Sequence, residues 1–363
     1  MALALAGTLV GFIWDYLTKD QVSASLFYVL PVLFGAWFLS RRAGLLLALL
    51  SSASWTTSYL LVGKPYSGVH IFFWNLASET AIYLAAAGAA SKGRELLQRQ
   101  RLLTEELGRL NGALDREMLN VGDLQRKLLP RRPPELRGYE WEPYYATSAR
   151  AGGDYYDFMT VADRRVGILV ADASGHGAPA AVVMAMTRML LSIASNGSSS
   201  PDELLSEFNR RLAATLPEGL FVTVCLVLLE PETGRLDYAL AGHDPPLVIR
   251  ADNGGTEELP VRGGPPLGPF PESRFESGSA LLRPGDALLI YTDGLTEAAS
   301  PAGELFGVER VLESISAARS MQLADLRKQI LRRVDAHTGG APLRDDLTLL
   351  MLRRQQDPAQ QTA

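Results

Sequence analysis

Residues 152–177 read GGDYYDFMTVADRRVGILVADASGHG, and the spacing inside this stretch decides the architecture of the larger half of the chain. Two β-like runs, Tyr155 to Val161 and Val166 to Ala171, flank the polar turn Ala162-Asp163-Arg164-Arg165. The midpoint between Asp154 and Asp172 is residue 163, inside that turn. An antiparallel hairpin without a bulge therefore sets the two aspartates directly opposite one another, with Cα atoms about 4.5–5.5 Å apart. Two like charges held there repel unless something positive lies between them. The spacing predicts a cation site as well as a hairpin.

Working outward, two more aspartates follow β-like runs or begin them: Asp293 in Tyr-Thr-Asp-Gly-Leu-Thr-Glu, and Asp345 in Arg-Asp-Asp-Leu-Thr. Strands are expected at 221–229 and 236–240, joined by Pro231-Glu232-Thr233-Gly234, and again at 287–291 and 347–352. Helical periodicity appears at 178–194, 202–215, 306–317 and 321–337. Strand runs interrupted by helical pairs indicate an α+β domain with helices covering sheets. Any one of the aspartates alone reads as a turn or cap residue, but turn chemistry does not supply four beside glycines or at strand ends in one domain. Oxygen-only ligation, without His or Cys, selects Mg²⁺ or Mn²⁺ over Zn²⁺. Two such ions close together activate a bridging water and neutralise a phosphoryl group in transfer. Gly175 and Gly177 permit close backbone approach beside Asp172, the Ala173 carbonyl is a candidate ligand, and His176 reads as a hydrogen-bonding loop residue.

The composition is not uniform. Residues 1–90 hold only seven charged side chains, although the chain carries 35 Lys and Arg and 40 Asp and Glu. A net charge of −5 and the absence of a basic stripe interleaved with aromatics argue against nucleic acid as a partner. The single cysteine, Cys225, lies in an apolar β-like run and reads as core packing in a reducing compartment. Apolar stretches at 3–17, 22–39, 43–62 and 69–90 approach the roughly 20 residues that a spanning helix needs, so four transmembrane spans are expected. Arg41 and Arg42 after the second stretch, and Lys92, Arg94, Arg99 and Arg101 after the fourth, place both termini on the cytoplasmic side. Glu79 and His70 inside the fourth stretch are candidates for a ligand or proton sensor, or for a hydrogen bond between helices.

From Ser91 to Leu129, Leu96, Leu103, Leu110 and Leu124 form one seven-residue line, interrupted by Glu117, and Leu107, Leu114, Val121 and Leu128 form its companion. This heptad spacing predicts a coiled coil, most simply a parallel homodimer, with a single amphipathic helix packed on its own domain as the alternative. Gly108, Gly112 and Gly122 weaken an isolated helix by up to about 1 kcal/mol each, and Pro130, Pro133 and Pro134 end it. The expected domains are a membrane sensor bundle at 1–90, a coiled-coil linker at 91–130, a catalytic domain at 131–356 and a disordered tail at 357–363.

Seven motifs in this order resemble the SpoIIE-type serine phosphatases, the bacterial branch of the metal-dependent PPM protein phosphatases. They are Gln125-Arg-Lys-Leu-Leu-Pro130, Gly152-Gly-Asp-Tyr-Tyr-Asp157, Asp172-Ala-Ser-Gly-His-Gly177, Ala241-Gly-His-Asp-Pro-Pro246, Gly264-Pro-Pro-Leu-Gly268, Tyr291-Thr-Asp-Gly-Leu-Thr-Glu297 and Asp345-Asp-Leu-Thr348. The resemblance runs from about Gln125 to Arg353 and implies a β-sandwich flanked by helices. It implies that Asp154, Asp172 and the Ala173 carbonyl hold a bridged pair of Mn²⁺ or Mg²⁺ ions, with Asp293 and Asp345 completing one of them. Asp157 and Asp346 become either outer hydrogen-bonding partners or ligands of a third ion. The implied reaction is hydrolysis of phosphoserine or phosphothreonine on a protein, often a small anti-anti-sigma protein; with the spans expected above, the enzyme is anchored in the bacterial inner membrane and acts on a cytoplasmic partner. Ala151 and Ala173 stand where valine is frequent, and neither change removes a carboxylate. Gly-Gly-Asp after a membrane region and a coiled coil also resembles the diguanylate cyclases, although Tyr-Tyr-Asp follows here. A non-catalytic sensor or scaffold of the same fold is the other rival, with no carboxylate missing to favour it.

Overall fold

The computed structural model describes residues 1–18, 25–62, 69–161, 165–175, 177–194, 200–252, 254–260, 262–317 and 321–356. The centre of the predicted 162–165 turn, His176 and the predicted tail lie outside the described residues. The chain divides into two compact units, Met1–Gly112 and Ala113–Ala363.

The first unit is helical. Helix α1 spans Ala2–Thr18, and α2 spans Ser25–Phe34 and continues as a π-helical turn, Gly35–Leu39. Helix α3 spans Arg41–Val62, and α4, Val69–Leu128, begins in this unit and ends in the second. Four spanning helices were expected. Among the described residues, α3 alone is long and apolar enough to cross a membrane by length and composition. Helix α1 has 17 residues, and α2 with its π turn closes at Leu39 before the Arg41-Arg42 pair. At the start of α4, His70, Asn75 and Glu79 dilute the apolar run.

The unit has a core of mostly small and aromatic apolar residues, including Ala4, Tyr28, Ala36, Leu47 and Tyr83, but it also buries polar groups and exposes large apolar ones. Thr8, Ser51, Ser52 and Ser58 are buried, whereas Leu3, Leu17 and Trp74 are 79%, 71% and 74% exposed. The inward polar groups bond between or along helices: Ser51 Oγ donates to the Tyr28 carbonyl at 3.2 Å, and the Ser52 and Thr80 hydroxyls lie 2.6 Å apart. A Cβ on Gly44 would strike Ala36, so the π turn and α3 approach as closely as small residues allow. Glu79 is half-buried and His70 exposed, nine residues apart on one helix and hence on opposite sides of it. They do not form a common site.

The second unit is built on two five-stranded antiparallel sheets. Its strands are β1 (Tyr139–Ala146), β2 (Asp154–Val161), β3 (Arg165–Ala173), β4 (Val222–Glu230), β5 (Arg235–Ala241), β6 (Leu247–Ile249), β7 (Thr256–Glu258), β8 (Ser277–Leu281), β9 (Ala287–Tyr291) and β10 (Leu347–Arg354). The orders are β1-β10-β9-β6-β7 and β2-β3-β4-β5-β8. Helices α5 (Ala178–Ala194) and α6 (Pro201–Ala213) cover the outer face of the β2–β8 sheet. A single turn, α7 (Asp293–Thr296), precedes α8 (Gly307–Ser316) and α9 (Leu323–Thr338), which cover the other sheet.

Strand alternation sets these layers. On β9 and β10, Leu288, Ile290, Leu350 and Leu352 enter the core between the sheets with Val170, Cys225 and Leu240. Their neighbours Leu289, Tyr291, Leu349 and Met351 pack against Val311, Ile315, Leu326 and Ile330 of α8 and α9. The domain is the expected α+β sandwich flanked by helices. Cys225 is buried on β4 as core packing.

Candidate metal centre

Strand β2 pairs with β3 so that Asp154 lies opposite Asp172, as the hairpin arithmetic requires. The Ala173 N–H donates to the Gly153 carbonyl at 3.1 Å, which makes the adjoining Asp154–Asp172 pair a non-hydrogen-bonded one, with the shorter cross-strand separation. Asp172 in turn lies opposite Thr223 on β4, so the row crosses three strands.

The other sheet delivers the remaining carboxylates to the same end of the sandwich. β9 ends at Tyr291 and hands Asp293 to the first position of α7, while Asp345 and Asp346 immediately precede β10. Thr292 and Thr348, from these same motifs, both donate their hydroxyls to Asp154 Oδ2, at 2.7 and 2.6 Å. Buried His243 joins the two sheets nearby: Nδ1 lies 2.9 Å from Thr223 Oγ1, and Nε2 3.0 Å from the Tyr291 carbonyl. Burial pushes its pKa down to about 4, so Nε2–H donates to Tyr291 and Nδ1 accepts from Thr223.

The two aspartates whose role the sequence left open are placed apart from each other. Asp346 holds the loop before β2: its Oδ1 accepts from Ser148 N at 2.8 Å and its Oδ2 from Gly153 N at 2.6 Å. A Cβ on Gly152 would collide with that carboxylate. Asp157 points to the opposite face of β2, where it accepts from the Tyr155 hydroxyl and from Phe158 N, with Arg188 of α5 at 4.0 Å. Asp157 is therefore not brought to the other four. The end of α4 also reaches the loop. Buried Gln125 donates through Nε2 to the Gly152 carbonyl at 2.6 Å and accepts from Gly152 N at 3.0 Å.

Electrostatics mark the cluster. Burial, then Asp293, Asp345 and Asp346, raise the Asp172 carboxyl to about 8. Burial, then Asp345, Glu297 and Asp244, raise Asp293 to about 6. Asp154 is pushed well above the carboxylate range by burial and by Asp172, against the two threonine hydroxyls. Among the described residues, no three carboxylate, imidazole or thiol groups already converge to hold an ion. The donor set nevertheless fits a hard divalent cation. Asp293 Oδ1 is buried without a hydrogen-bond partner, and a Cβ on Gly153 would fill the space flanked by the Ala173 carbonyl and Asp172 Oδ1. Oxygens, a surplus of negative charge and a cradle that only glycine leaves open are what Mg²⁺ or Mn²⁺ requires. Sequence reasoning missed Thr292, Thr348, Thr223 and His243 as parts of this arrangement. Their signal was adjacency to the aspartate motifs, and only strand pairing turns it into contact.

The family model described as Stage II sporulation protein E (SpoIIE) matches residues 162–355, more than half of the chain. This chain belongs to the SpoIIE family. That family comprises PP2C-type, metal-dependent serine/threonine phosphatases, and membership replaces the nucleotide-cyclase alternative. Among similar proteins, Protein IcfG of Synechocystis is 26% identical over 260 residues, covering 64% of this chain and 40% of IcfG. The phosphoserine phosphatase RsbP of Bacillus subtilis is 27% identical over 194 residues, covering 52% of this chain and 46% of RsbP. The chain thus spans less than half the length of either relative. Among solved structures, the RsbU and RsbW domains of Rv1364c from Mycobacterium tuberculosis superpose with a TM-score of 0.53 at 30% identity, covering 61% of each chain. The SiaA-PP2C domain of Pseudomonas aeruginosa superposes with a TM-score of 0.60 at 22% identity, over 68% of this chain and 99% of that domain, a likeness of fold.

Proposed function

We propose that the chain is a metal-dependent phosphatase that removes phosphate from phosphoserine or phosphothreonine on a protein. The observation that carries this reading is the opposed Asp154–Asp172 pair, met from the other sheet by Asp293 and by the motif containing Asp345. Asp154, Asp172, Asp293, Asp345 and the Ala173 carbonyl are the proposed ligands of two ions. Mn²⁺ or Mg²⁺ bound there supplies an activated water and offsets the charge of the phosphoryl group. The chain's own contribution is to hold the carboxylates apart and oriented, to keep His243 neutral between the sheets, and to leave the Gly153 cradle open. Asp172→Ala and Asp293→Ala are each expected to abolish Mn²⁺-dependent hydrolysis of p-nitrophenyl phosphate and of a phosphoserine peptide. Undiminished turnover in either variant, or turnover without added metal, overturns the proposal.

The proposed substrate is a small phosphorylated regulatory protein of the anti-anti-sigma type, in keeping with relatives named as phosphoserine phosphatases. Residues 1–90 are proposed as a membrane-attached sensor, with α3 crossing the bacterial inner membrane, residues 91–130 as a dimerising linker, and 131–356 as the cytoplasmic phosphatase. The outward apolar and inward polar side chains of the first unit support attachment, and the basic residues at 92–101, on the catalytic side of α3, support a cytoplasmic catalytic domain.

A further inference from the structure

We propose that Thr292 and Thr348 are positioning residues: together they clasp one oxygen of Asp154 across the two sheets and present its other oxygen to the cation. The inference rests on the metal-dependent reading above and deepens it. Thr292 and Thr348 are both 0% exposed and Asp154 is 1% exposed, so water does not satisfy any of the three. Thr292 Oγ1 also accepts from Thr348 N at 2.9 Å, while Thr292 N donates to the Thr348 carbonyl at 3.2 Å. A hydroxyl has a single proton. With the Thr348 amide pointing at it, that of Thr292 is directed to Asp154 Oδ2 at 2.7 Å. The Thr348 hydroxyl reaches the same oxygen at 2.6 Å.

Both side-chain donors therefore fall on Oδ2, and neither falls on Oδ1. Two donors on one oxygen in a dry site set the plane of this carboxyl group before any ion arrives, and they become charge-assisted, hence stronger, once a bound cation ionises it. The placement of the donors adds a second effect. Thr292 directly precedes Asp293, Thr348 follows Asp345 by three residues, and Asp154 stands on the other sheet beside Asp172. The clasp thus fixes the separation between the two halves of the site as well as the tilt of one ligand. Partners behind a metal ligand are typically worth about 10–100-fold in affinity.

The test is calorimetric titration of Mn²⁺ into the full chain in mild detergent, with folding checked by thermal unfolding in the absence of metal. Thr348→Val and Thr292→Val, which keep the side-chain shape and remove the hydroxyl, are expected to weaken Mn²⁺ binding about 10–100-fold. Thr348→Ser and Thr292→Ser, which keep the hydroxyl and lose the methyl, are expected to bind close to the parent. A folded valine variant with parental affinity overturns the proposal, as does a serine variant that falls as far as its valine counterpart. If neither valine variant folds, the serine pair decides: parental affinity supports the clasp and a tenfold loss overturns it. Asp172→Asn separates the two readings. Parental Mn²⁺ binding in that variant sinks the metal centre itself, whereas failure of the threonine arms alone leaves the metal centre standing.

Discussion

Asp172 and Asp293, raised to about 8 and about 6, make the stability of the metal-free protein depend on pH in a direction opposite to the usual carboxylate case. An unfolded aspartate titrates near about 3.9. Between there and the folded values the native state binds more protons than the unfolded chain, so stability falls as pH rises and the loss is complete above the folded pKa. His243, held down to about 4, acts in the other sense, but only below about 6.5, where the unfolded imidazole charges. Asp293 has largely lost its proton by pH 6.5, so the window from pH 6.5 to 8 belongs to Asp172 and to the raised Asp154 opposite it. Without metal, the unfolding temperature is expected to drop across it, and saturating Mn²⁺ is expected to remove the drop; a flat metal-free profile contradicts the pKa assignment. A second expectation concerns Gly153. Its Cβ position is taken by the Ala173 carbonyl and Asp172 Oδ1, so Gly153→Ala should abolish Mn²⁺ binding in calorimetry. The four aspartates and the Ala173 carbonyl were legible in the sequence because hairpin spacing and motif order both point to them. The threonine and histidine supports were not, since Thr292 and Thr348 meet Asp154, and His243 meets Tyr291, only after two sheets have packed.

At the scale of elements, the last turns of α4 belong to the catalytic domain. Leu96, Leu103, Leu107, Leu110 and Leu114 are all more than half exposed, as an unpaired heptad seam is. Farther along, Leu128 and Leu129 join the core between the sheets, and Gln125 grips Gly152. The reading of the connector as a helix packed on its own domain thus holds for these last turns. Gln125→Ala leaves a buried N–H and carbonyl of Gly152 without partners, at a cost of about 1–3 kcal/mol. The expected result is faster hydrogen exchange at Gly152–Asp154 and turnover reduced by about tenfold to a hundredfold, because the adjoining loop carries Asp154. Unchanged exchange at these amides contradicts the assignment. Strands with unbroken apolar runs were legible to within one or two residues: β9 was expected at 287–291 and spans Ala287–Tyr291. β1, β6, β7 and β8 were not read. β1 alternates charged and aromatic residues around Pro143, β6 and β7 have three residues each, and β8 is Ser-Gly-Ser-Ala-Leu, so none carries a period that local sequence distinguishes from loop.

For the whole molecule, the two units differ in what they expose: the first carries Leu3, Leu17 and Trp74 on its surface. The first was overcounted in spans because apolar composition alone does not separate a crossing helix from a shorter one beside it, and the polar residues of α4 break its run. Its exposed Leu3, Leu17 and Trp74 still predict that the full chain resists extraction from membranes by alkaline carbonate. Recovery in the soluble fraction rules attachment out. Cysteine introduced at Leu110, on the exposed seam, is expected to cross-link two chains under mild oxidation, and a monomer under those conditions removes the dimer. One contact of α4 has a mechanical corollary. The carbonyl of Arg150 occupies the place where a Cβ on Gly122 would stand, so helix and loop meet with no side chain between them. Each residue of an α-helix advances about 1.5 Å and turns about 100°. A slip of one position would drive Val121 or Asp123 into that carbonyl. The next glycine toward the N-terminus, Gly112, is ten residues away. The shaft is keyed: it seats in one register and in no neighbouring one, so movement along α4 would engage or disengage the loop as a step rather than by degrees.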